Sequence, residues 1–113
     1  MKWYKKLYAG ESIAHKTGRV KWKIIHNAGQ LHVYVITLAS NEKNLLELIP
    51  SWEFMQKYYP KKHKMIIGLA GDYEEALLLV EQIIGEIYEK TGGFDVRSFF
   101  GEGASTQEKE DIT

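Results

Sequence analysis

The chain has 113 residues, enough for one domain with one hydrophobic core. It is 44% hydrophobic, 27% charged and 12% aromatic, which excludes a disordered chain, and it has no cysteine, which excludes disulfides, thiolate chemistry and sulfur-ligated zinc. Fifteen cations offset fifteen acids, yet residues 1–64 carry twelve cations against four acids and residues 65–113 carry three against eleven.

The first 30 residues admit two readings. Trp3 and Leu7, like Tyr4 and Tyr8, stand four apart. Val20, Trp22 and Ile24 alternate as in a strand, with HNAGQ (26–30) as a hairpin loop. The same stretch suits a helix over 12–27, because Lys21, Lys23 and His26 fit a helix end and Gly29 a C-cap. The helix is the expected outcome, since a sheet apolar on both faces needs a cover on its second face. LHVYVITL (31–38) and KMIIGLA (64–70) read as such strands, a mark of parallel pairing.

Between them, SNEKNLLELIPSWEFMQKYYP (40–60) predicts a helix with Leu45, Leu48, Ile49, Trp52, Met55 and Tyr59 on its core face. Ser40 or Asn41 would cap it, and Pro50 predicts a kink or a restart near Ser51. DYEEALLLVEQIIGEIYEKTGG (72–93) is the clearest helix. Asp72 caps it, with Glu75 three residues on as in a capping box, and Gly92 stops it. Ala76, Leu77, Leu79, Val80, Ile83, Ile84, Ile87 and Tyr88 cover nearly half its circumference, which predicts a deep seat. FDVRSFF (94–100) reads as a third, edge strand, and GEGASTQEKEDIT (101–113) as a flexible polar tail. The expected fold is one α/β domain over residues 1–100, a short, mainly parallel sheet of about three strands with helices on both faces.

VYVITLASN, NLLELIP, the YYP turn, IIGLAGDYEEAL and TGGFDVRSFF together resemble a family of small uncharacterised bacterial α/β proteins. The resemblance spans most of residues 31–100. It implies one natural domain and brings no activity, cofactor or site residue.

No stretch reaches the ~18 apolar residues of a membrane span, and MKWYKKLYAGES lacks the apolar core of a signal peptide, so a soluble cytoplasmic protein without a membrane partner is expected. His15, His26, His32 and His63 form no helical pair or zinc motif, and no serine sits in a nucleophile elbow. No catalytic residue, metal or cofactor is expected. IIGLAGDY (66–73) has the strand–turn–helix setting of a phosphate loop without its lysine or full glycine pattern. There Gly68 lets a helix approach the sheet, Gly71 makes the turn, and Asp72 puts an anion where a phosphate would sit. Ser40, Asn41, Gly71 and Asp72, at two helix N-termini, are the candidate ligand site.

In WEFMQKYYPKKHK (52–64), Phe54 and Tyr58 fall off the predicted core face, and Lys61, Lys62 and Lys64 follow. Rings interleaved with cations suit a single-stranded nucleic acid or an acidic partner; they equally suit a solvated helix end. The halves' opposite charges are expected to cancel over a Debye length of ~8 Å, and zero net charge disfavours polyanions. Leu78, Gly85 and Phe99 mark a candidate self-association surface. The expected function is a non-enzymatic interaction or regulatory module with a protein partner or a second copy. The alternatives are a nucleic-acid-binding accessory protein using residues 52–64, and a small-molecule-binding domain with its site at the strand C-termini.

Overall fold

The computed structural model describes residues 1–29, 31–39, 45–61 and 64–100. The expected 101–113 tail, Ser40, Asn41, Lys62 and His63 lie outside the described residues. The chain runs through β1 (Lys2–Ala9), a 3-10 turn (Ala14–Lys16), α1 (Thr17–His26), β2 (Tyr34–Leu38), β3 (Leu46–Pro50), the one-turn α2 (Ser51–Phe54), β4 (Met65–Ala70) and α3 (Tyr73–Thr91). A last helical turn follows over residues 96–100.

The sheet is four-stranded and mixed, in the order β1-β4-β2-β3. β1 and β4 are parallel, while β2 is antiparallel to both β4 and β3. This corrects the expectation of about three mainly parallel strands. Strands apolar on both faces signal only that both faces are covered, and an antiparallel strand between two helical layers satisfies that equally. Trp3, Val35, Ile49, Ile66 and Leu69 meet Val20 and Ile24 of α1 and Phe54 of α2 on one face. Ile36, Met65 and Ile67 meet Ala76, Leu79, Ile83 and Ile87 of α3, with Val96 and Phe100, on the other.

The helix expected over 12–27 forms, as the 3-10 turn and α1, but its left-handed cap is Asn27 rather than the expected Gly29, because the Asn27 N–H already reaches back to Ile24 O. The helix expected over 40–60 does not. Its described residues 46–50 pair with β2, Leu48 opposite Ile36 and Ile49 opposite Val35. Leu46 and Leu48 on one side and Ile49 on the other also read at period two, and cross-strand burial favours that reading. Pro50 ends β3 at φ −65° and the helical turn α2 starts beside it at Ser51, so the expected kink or restart becomes a change from strand to helix. Phe54, expected off the core, is wholly buried, because a single turn after β3 points it into the α1 layer. Trp52, expected in the core, is half exposed.

The strand expected over 94–100 is a helical turn. The Asp95 carboxylate accepts from Ser98 N–H and the Phe99 N–H donates to Asp95 O. Val96 and Phe100, four apart, are thereby both buried. No exposed edge forms here, and Phe99 is half-buried beside the Phe100 ring. Gly68 makes room for a neighbouring strand rather than a helix: a Cβ there would stand 3.2 Å from Tyr8 O. The seat of α3 is shallower than expected, since Leu77 is 44% and Tyr88 52% exposed.

Candidate functional site

Pairing β1 with β4 in parallel brings their carboxyl ends together, Ala9 opposite Leu69. Gly10 donates to Leu69 O at 2.8 Å, and the chain then turns through Ser12 toward α1. Gly71 follows β4 and leads into α3. A Cβ on Gly10 would overlap the Glu75 carboxylate, and one on Gly71 would overlap Ser12 Oγ, so the two turns meet only as glycines.

Glu75 knots them. Its carboxylate accepts from Gly71 N–H at 2.6 Å, Ser12 Oγ–H at 2.8 Å and Ser12 N–H at 3.2 Å. Gly71 N–H, together with the Ser12 bonds, holds its pKa below the usual carboxylate range, against an opposing push from burial. Asp72 caps α3 as expected, accepting from Glu75 N–H at 2.8 Å. The N-terminus of α3 is thus filled by the protein's own carboxylates. Asp72 serves there as the helix cap.

Beside this knot a cleft of about 400 Å³ opens between α1 and the segment entering β2. Gly71 and Ser12 form one end. Lys16, Arg19 and Lys23 line the α1 wall, and Leu31 and His32 the opposite one. Spacings of three and seven put the three cations on one helix face, and none has a carboxylate within ion-pair distance among the described residues. A second cleft of about 410 Å³, lined by Asn27, Leu31, His32, Trp52, Met55 and Gln56, adjoins the first at Leu31 and His32. The Trp52 ring stands 6.0 Å from His32 and 5.7 Å from Tyr34. Buried Ser51 anchors this wall: its Oγ donates to Leu31 O at 2.5 Å and accepts from Val33 N–H at 3.0 Å.

Three of the described candidates in 52–64, namely Phe54, Lys61 and Lys64, make contacts within the chain. Lys61 Nζ donates to Ile24 O at 3.0 Å and to Asn27 Oδ1, tying the last turn of α1 to the chain before β4. Burial pushes its pKa down. Lys64 sits 3.9 Å from Glu47. With Phe54 buried and Lys61 and Lys64 engaged, Tyr58 is the described candidate of that set still open to solvent, 87% exposed with the Lys57 ammonium over its ring. Leu78 is exposed and nothing approaches Gly85, as expected of a free surface. Phe99 is not with them, because it packs under the Lys90 ammonium.

The sequence reading missed Lys16, Arg19, Lys23, Ser12 and Trp52 as site residues. The cation spacing on the expected helix was a usable signal; the facing wall was not, since it comes from residues 31–33 and 71. No family model, no curated protein and no solved structure matches the chain.

Proposed function

We propose that the chain is a non-enzymatic binding module for a small anionic ligand held in the cleft between α1 and the carboxyl ends of β1 and β4. The observation that carries this reading is the row Lys16, Arg19 and Lys23 along one wall of a cleft, without carboxylate partners among the described residues. Cations gathered in a concave, partly desolvated space raise the local potential for anions more than the same charges on a convex surface. The adjoining cleft with Trp52 and Met55 supports a ligand whose other end is flat or apolar.

A thermal-shift panel tests this, setting nucleoside monophosphates and aromatic carboxylates against their uncharged counterparts. An anionic ligand at roughly ten times its Kd adds about 1.4 kcal/mol, a rise of several degrees. The rise should weaken with salt and vanish in Lys16→Glu with Arg19→Glu, both exposed positions. Equal shifts from neutral compounds, or shifts kept in the double variant, would refute the reading. A second reading, single-stranded nucleic acid, rests on open Tyr58 and half-open Trp52. It requires oligonucleotide binding that is lost in Tyr58→Ala.

A further inference from the structure

The opposite face of the sheet carries a different surface. The sheet-facing row of α3 is Ala76, Leu79, Ile83 and Ile87. On one shoulder stand Glu75, Leu78, Gln82 and Glu86, and this shoulder faces β1: Glu75 bonds Ser12, and Glu86 accepts from the Tyr8 hydroxyl at 2.6 Å. The other shoulder, Tyr73, Leu77, Val80, Ile84 and Tyr88, therefore faces β2 and β3, and the Tyr73 ring meets Tyr34 at 5.7 Å. Leu46 and Leu48 of β3 lie on this same face, half-buried. Together they line an apolar trough between α3 and edge strand β3, bounded at one end by the 96–100 turn, whose Arg97 donates to Ala39 O at 2.5 Å.

We propose that this trough seats a second copy of the chain, in a twofold dimer where the two α3 shoulders pack side by side, each over the Leu46 and Leu48 face of the other copy. Three observations favour a copy over another occupant. The first is area. Tyr73, Leu77, Tyr88 and Phe94 are each about half exposed, and Phe94 stacks on Tyr88 at 5.1 Å. With the half-buried aliphatics they show on the order of 600 Å² of apolar surface, from the ~150–250 Å² of a ring. A standard interface takes roughly 800 Å² per partner, so this stripe supplies most of one. The second is the contrast between the sheet's two edges. β1 is guarded by exposed Lys5 and Lys6 within a register break. On β3 the one charge, Glu47, lies beside Lys64, and the trough side shows Leu46 and Leu48. The third is self-complementarity. The stripe from Tyr73 to Tyr88 reads alike in both directions, so antiparallel shoulders match ring to ring.

Analytical ultracentrifugation of the full chain at low and high salt tests the proposal. The expected parent is a dimer that persists at high salt. Leu77→Glu and Tyr88→Glu, at exposed positions, should each weaken it roughly tenfold or more by stranding a charge in an apolar contact. Leu78→Glu on the other shoulder should leave it unchanged, and circular dichroism should show all three variants folded. A monomeric parent overturns the proposal. So does a dimer broken by Leu78→Glu or by Trp22→Glu on α1 but not by Leu77→Glu. Open-ended, salt-sensitive association also overturns it, since that is the mark of basic faces stacking on acidic ones.

Discussion

Glu75 does at one position what the ligand-binding loops of other folds leave to a ligand. Its carboxylate gathers three donors from two turns that are distant in sequence. These bonds favour the ionised form, so the folded pKa lies below the unfolded value of about 4.3. Stability from this site is therefore present above that value and lost as pH falls through the folded one. Glu75→Gln should cost about 1–2 kcal/mol at neutral pH, the lower range for charged hydrogen bonds because the site is open to water. The gap between parent and variant in urea melts should close as pH drops from about 7 toward 3, because the parent carboxyl then becomes neutral too. A gap constant with pH would show that Glu75 acts by shape rather than charge.

Among the elements, the turn at 96–100 bears the most on β1. Phe100 is fully buried and meets the Tyr4 ring edge-to-face at 4.8 Å and the Tyr8 ring at 6.5 Å. It closes the core over a strand that has a partner on one side only. Phe100→Ala should cost about 3–5 kcal/mol by chemical denaturation, as large-to-small changes in a packed core do. Phe99→Ala, half-buried, should cost clearly less. Equal costs would remove the turn from the core. The other misread segment, 46–60, shows the same competition at a larger scale. Leu46 to Pro50 fit helix and strand spacing alike, and the outcome rested on β2 being alongside.

At the scale of the molecule, the charge asymmetry of the sequence becomes a spatial one. α1 carries Arg19, Lys21 and Lys23 on one face of the sheet, while α3 carries Glu74, Glu75, Glu81, Glu86 and Glu89 on the other. Two helical layers around a sheet stand roughly 20 Å apart, at about 10 Å per layer. That exceeds twice the ~8 Å Debye length, so the two faces should keep fields of opposite sign instead of the cancellation expected from the sequence. Despite zero formal charge, the protein should be retained at low salt on both cation- and anion-exchange resins near pH 7. Lys16→Glu with Arg19→Glu should abolish retention on the cation exchanger and leave the other intact or stronger. Passage through both resins would mean that the faces are neutralised in solution.

What local physics controls is legible in the sequence. Asp72, Gly92 and the apolar period delimit α3; the apolar runs locate β2 and β4; Pro50 sets the break before Ser51; the cations of the last turn mark the end of α1. Each of these is fixed by hydrogen bonds or sterics within a turn or two of chain. The tertiary structure alone decided the strand directions, the place of β1 and the conformation of 46–50 and 94–100. Those depend on which distant segment supplies a burying surface or a backbone partner. The site divides the same way. Lys16, Arg19 and Lys23 were legible as a row on the expected 12–27 helix, but their cleft exists because β1 and β4, some sixty residues apart, end side by side. No local period encodes that contact, because its free energy comes from apolar burial between segments and not from the chain between them.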